Sequence, residues 1–137
     1  MGVSIRATNS SYSFDMGFGG FFNLRKNIAL ALDDEFGKNY ANLAYCHSKE
    51  EYAENDRIAN EILARKPLDE DILDFLYDSD TTGQISHKVC KKIYDLIQDI
   101  DFGKKSFRYG AYAHNDYEEF KTFLKECYSN RRYMRWS

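Results

Sequence analysis

Asp78, Asp80 and Thr82 place side-chain oxygens at alternate positions, and Gly83, Ile85 and Ser86 follow them. That order matches positions 1, 3, 5, 6, 8 and 9 of an EF-hand loop, where oxygen ligands, a tight glycine turn and a buried aliphatic residue recur. Calcium needs roughly six to eight oxygens, and the bidentate glutamate expected at position 12 is Val89 here, which supplies none. Any calcium affinity at Asp78, Asp80, Thr82 and Ser86 is therefore expected to be low. The same residues also suit a plain helix-turn-helix connection, in which an aspartate closes the first helix, Gly83 turns the chain and Ser86 caps the second helix.

A second group is Gly17-Phe18-Gly19-Gly20 at the start of a helical pattern, with Arg25 downstream and Tyr12 upstream. Free backbone N–H groups at a helix start attract phosphate, so Tyr12, Gly17, Gly19, Gly20 and Arg25 could hold a phosphate-bearing ligand such as a nucleotide. The alternative is that these glycines permit a tight turn between strand and helix. Cys46 beside His47, and His87 three residues before Cys90, are the available thiol–imidazole pairs. Cys90 lies next to Val89 and near Ile93, a setting typical of a buried, inert thiol. The chain contains no G-x-S-x-G, H-E-x-x-H, Walker loop or C-x-x-C, and no catalytic residue is assigned.

Basic and aromatic residues interleave toward the C-terminus. Arg108, Tyr109 and Tyr112 are followed by Arg131, Arg132, Tyr133, Arg135 and Trp136. Such mixtures stack on single-stranded nucleic acid or form protein-interface hot spots. Residues 104–137 hold eight bases against four acids, whereas 50–80 hold eleven acids against Arg57, Arg65 and Lys66. A net charge of −3 makes a general nucleic-acid binder a poor fit and favours a protein partner for Arg108, Tyr109, Tyr112, Arg131, Arg132 and Arg135.

These residues must be positioned by the elements around them. Val3–Thr8 and Tyr12–Met16 alternate apolar with polar and read as a hairpin. Leu24, Ile28, Ala31, Leu32 and Phe36 predict a helix over about 22–36, stopped by Gly37. Ser48 with Glu51 forms a capping box for a helix to about Arg65, and Pro67 ends that helix or begins the next. Leu68, Ile72, Phe75 and Leu76 share one face, and Val89, Ile93, Leu96, Ile97 and Ile100 another, so 68–100 reads as an EF-hand-like pair of packed helices. After a Gly/Tyr/Lys loop over 103–113, Asn115 and Glu118 offer a capping box for a helix that turns Tyr117, Phe120, Phe123, Leu124 and Cys127 inward. Tyr133–Trp136 reads as a strand whose nearest unpaired partner is the N-terminal one. The expectation is one mainly helical α+β domain over 1–137, with about five helices and a small antiparallel sheet joining the two terminal strands.

Residues 72–97 carry a resemblance. Phe75-Leu76-Tyr77-Asp78-Ser79-Asp80-Thr81-Thr82-Gly83-Gln84-Ile85 is similar to the F-L-x-x-S-D-C-x-G-x-I core of a family of small, uncharacterised bacterial and phage-borne proteins, with Thr81 in place of the cysteine. Ser11-Tyr12-Ser13-Phe14, Asn23-Leu24-Arg25 and Tyr133–Trp136 resemble that family's flanking segments. The family brings no activity with it, and what it implies is a fold and a phage or prophage setting.

The 137 residues suffice for one hydrophobic core, and 16% aromatic content excludes a disordered chain. No apolar run is long enough for a membrane span, no secretory pattern opens the chain, and Arg6 breaks the myristoylation pattern begun by Gly2. Three widely spaced cysteines fit a reducing cytoplasm. The function expected is a non-catalytic interaction protein that binds and modulates, chiefly by inhibition, a host protein such as a nuclease or anti-phage defence factor. Phosphate-ligand binding or a divalent-ion module are the alternatives.

Overall fold

The computed structural model describes residues 2–43, 46–100 and 114–137. The hairpin forms from β1 (Gly2–Ala7) and β2 (Ser13–Gly17), with Ile5 opposite Phe14 and Val3 opposite Met16. Strand β2 passes directly into α1 (Phe18–Leu32), followed by α2 (Asp34–Leu43), α3 (Lys49–Arg65) and α4 (Glu70–Tyr77). A short strand β3 (Gly83–Ile85), α5 (His87–Ile97), α6 (His114–Ser129) and β4 (Met134–Trp136) complete the described chain.

The sheet is antiparallel with order β2-β1-β4-β3, so β4 lies between β1 and β3. The terminal strands meet as the sequence predicts, and β3 adds an unforeseen fourth strand. The period-2 rule separates its faces. Val3, Ile5, Ala7, Phe14, Met16, Ile85, Met134 and Trp136 are buried beneath the helices, while Arg6, Ser13, Asp15, Gln84 and Arg135 are exposed on the outer face. Phe21, Leu24 and Ile28 of α1, Phe75 of α4, Ile93 of α5 and Tyr117, Phe120, Phe123 and Leu124 of α6 complete one core. The result is a mainly helical α+β domain with six helices among the described residues, none long and apolar enough to cross a membrane.

The sixth helix arises where a single one over 22–36 is expected. Asp33 closes α1 and accepts a 2.9 Å bond from Phe36 N, which opens α2 one turn before Gly37. Gly37 therefore does not stop a helix. It sits inside α2 where a Cβ would come within 2.5 Å of the Leu30 backbone, so α1 and α2 cross in contact there. Gly37→Ala is expected to destabilise the domain by about 2 kcal/mol despite its better helix propensity, measured by urea denaturation.

Candidate functional site

Arg25 and the 78–86 loop, separate candidates in the sequence, are parts of one assembly. The α1 helix carries Arg25 beneath the C-terminus of α4, where its Nη1 donates to Asp78 O at 2.8 Å and Nη2 to Ser79 O at 3.2 Å. A helix C-terminus presents unfilled carbonyls and partial negative charge, both of which a guanidinium answers. Its carbon lies 4.7 Å from the Phe21 ring centroid, 5.1 Å from Phe75 and 5.6 Å from Trp136. Trp136 Nε1 donates to the same Ser79 carbonyl at 2.9 Å. Burial pulls the Arg25 pKa down, and Tyr40, Asp78 and Asp80 push it back up. The guanidinium remains charged.

The phosphate arrangement is not assembled. Gly17 caps α1 with φ −61° and ψ 153°, a conformation open to any residue, and no side chain helps it. Gly19 and Gly20 lie in the first turn of α1, and a Cβ on Gly20 would meet the Met16 side chain at 3.2 Å. Arg25 lies roughly 10 Å further along the helix axis and is committed to the 78–79 carbonyls. Tyr12 packs against Phe123 of α6, with ring centroids 5.2 Å apart and the planes tilted by 51°.

Within the loop, the architectural roles account for the bonds. Asp78 is the residue after α4, and its Oδ1 accepts from Ser79 N at 2.8 Å. Ser79 Oγ accepts from Thr81 N at 3.2 Å and Thr82 N at 3.4 Å, while Ser86 caps α5 by accepting from Val89 N at 3.4 Å. Asp80 and Thr82 are exposed, and among the described residues no three His, Cys, Asp or Glu side chains converge as a metal-binding group. Gly83 opens β3 instead of making the sharp turn. A Cβ there would strike the Trp136 ring at 2.1 Å, so the glycine is required by close packing.

The outer face of the sheet exposes Arg6 and Arg135 together with Asp15. The register aligns Ser13, Arg6, Arg135 and Gln84 in one row across the four strands, with Arg6 directly opposite Arg135. Arg135 Nε donates to Gln84 Oε1 at 3.0 Å. Shallow depressions flank the row, one of about 530 Å3 toward Thr8, Asn9 and Tyr133, the other of about 470 Å3 toward Asp78 and Thr82. Exposed Arg131 lies at the turn before β4 with φ 54°. Neither Arg6, Arg131 nor Arg135 forms an ion pair among the described residues. Spacing alone does not single out Arg6. Alternation along β1 sets it on the polar face, and only pairing with β4 brings Arg135 across from it.

Arg132 does not belong to that exposed surface. Its Nη1 donates to Thr8 O at 2.8 Å and also to Asn9 O, which holds the hairpin turn against the segment before β4. Arg108, Tyr109 and Tyr112 lie outside the described residues.

A cleft of about 310 Å3 opens on the other side of the 78–80 loop, walled by Phe22, Tyr40, Tyr52 and Tyr77 and floored by Arg25. Tyr40 donates to Leu76 O at 2.6 Å and meets Tyr77 edge-on at 5.8 Å. Burial, with Tyr40 and Asp56 nearby, leaves the Tyr77 hydroxyl pushed up to about 12.

Of the thiols in the two thiol–imidazole pairs, Cys46 Sγ accepts from Asn55 Nδ2 at 3.1 Å and Cys90 is buried. Cys90 and Cys127 are buried on α5 and α6, and hydrogen bonding to Cys127 together with burial raises the Cys90 pKa well above the ordinary thiol value. That favours an inert thiol. Comparison of the chain with protein-family models, curated proteins and solved structures finds no match.

Proposed function

We propose that the chain is a non-catalytic interaction protein whose outer sheet face grips an acidic surface of a host protein and thereby inhibits it. The placement of Arg6 directly opposite Arg135 carries this reading. Like charges facing each other across paired strands destabilise a sheet, and the pair contributes nothing to the core. An anionic partner offsets that repulsion and is steered toward it. Tyr133, 42% exposed, adds an aromatic anchor beside the arginines. The eleven acids of residues 50–80 oppose a polyanionic nucleic acid, which favours a protein with a local acidic patch. The phage or prophage setting, with a nuclease or defence factor as the target, rests on the resemblance of residues 72–97.

Arg6→Glu provides the test. It replaces a repulsive pair by an attractive one, so the melting temperature should rise, by about 0.5 kcal/mol in stability, while partner binding falls at least about tenfold. Affinity capture from bacterial lysate with mass spectrometry, with and without nuclease, followed by binding measurements on the purified partner, checks both effects. Undiminished binding by the stabilised variant removes the sheet face from consideration, and capture abolished by nuclease favours nucleic acid.

A further inference from the structure

We propose that the cleft beside the 78–80 loop is a second binding site, one that takes a single cationic side chain, lysine or arginine, from a basic segment of a partner. Ring faces are the negative regions of aromatic groups, and the exposed Tyr52 and Tyr77 rings, beside Tyr40 and a Phe22 ring that already holds the Lys26 ammonium 4.4 Å from its centroid, attract a cation that sheds its water there. Asp78 and Asp80 stand at the rim, and Asp56 lies close enough to act on Tyr77. None of these three carboxylates forms an ion pair among the described residues, although Glu54 and Glu61 on α3 and Asp69 and Asp71 at the start of α4 all do. Arg25 at the floor is already held by two carbonyls and three ring faces, and Lys26 lies over the Phe22 ring, so Asp56, Asp78 and Asp80 stand against two cations already engaged and leave the opening negative.

Size narrows the occupant. At about 310 Å3 the cleft is at the lower end of small-molecule sites and suits one long side chain better than a nucleotide. Tyr52 is 56% and Tyr77 48% exposed, so two walls already face solvent, although Tyr77 also packs edge-on against Phe36 and Tyr40. The surrounding segment, with eleven acids against three bases, complements a basic peptide. This site shares Asp78 with the depression beside the Arg6–Arg135 row, but its other lining residues are separate and it does not depend on that reading.

The probes are N-acetyl-lysine methylamide, its side-chain trimethylammonium form and its neutral side-chain-acetylated form, each titrated into isotope-labelled protein and followed by NMR. The two cations are expected to shift resonances of Tyr40, Tyr52 and Tyr77 with dissociation constants on the order of 1 mM, and the neutral form is expected to leave them unmoved. Asp80→Asn and Tyr52→Ala, both at exposed positions, should each weaken the cations about fivefold, and Arg6→Glu should not. Asp80→Asn carries the comparison if Tyr52→Ala does not fold. Equal binding of the neutral form, an absence of shifts, shifts that follow protein concentration alone, or unchanged affinity in Asp80→Asn overturns the proposal.

Discussion

Trp136→Ala is expected to lower stability by about 4 kcal/mol, and removal of residues 131–137 to abolish the cooperative thermal transition. Trp136 is 1% exposed and packs at 5.8 Å from Phe21 and 5.6 Å from Phe75. Truncation to alanine opens a cavity among those rings and strips Ser79 O of its indole donor. The wider deletion does more, because β4 is the inner strand through which β3 joins the sheet. It also removes Met134 from the core and Arg132 from the carbonyls of Thr8 and Asn9. Circular dichroism melts and urea titrations measure both effects. An unchanged melting midpoint in the deletion would mean that the four-stranded sheet does not hold the fold together.

Elements defined by local periodicity were legible in the sequence, whereas most features defined by a distant partner were not, the pairing of the terminal strands being the exception. The hairpin alternation, the Ser48 cap accepting from Glu51 N at 3.1 Å and the inward face of α6 each depend on neighbours a few residues away. Pairing of the terminal strands also followed, since an unpaired edge needs a partner. By contrast, Gly37 resembles a helix stop unless the crossing of α1 over α2 is known, and Gly83 resembles a turn glycine unless Trp136 is placed on it. Asp33 did offer a signal. With Asp34 and Glu35 behind it, it has the acidic start of a new helix, although the apolar spacing running through Phe36 hides the break.

The same distinction separates the candidate sites. Arg25 beside glycines at a helix start has the composition of an anion site, and only the fold shows that its partners are carbonyls more than fifty positions away. Arg131, Arg132 and Arg135 are near neighbours in sequence, yet strand alternation and the hairpin turn give the middle one a structural task and leave the others exposed. The interaction reading therefore moves from a cluster along the chain to a row across strands. Its key residue, Arg6, comes from the opposite end of the described chain.

Arg25→Ala discriminates between the structural and ligand roles of that arginine. Under the structural role it should destabilise the domain by about 3 kcal/mol, roughly 10 °C in melting temperature, because charge-assisted bonds to Asp78 O and Ser79 O vanish from a site where Arg25 is only 3% exposed. Arg25→Lys should recover less than half of this, since an ammonium neither spans two carbonyls as a planar fork nor stacks flat on Phe21 and Phe75. Arg25 and Trp136 both donate to Ser79 O, so their alanine variants should couple. The double variant should be more destabilised than the sum of the singles by about 1 kcal/mol, because each single leaves Ser79 O one donor and only the double orphans it. A ligand role makes the opposite forecast for all three measurements: an unchanged melting temperature in Arg25→Ala, no special deficit in Arg25→Lys, and strict additivity with Trp136→Ala.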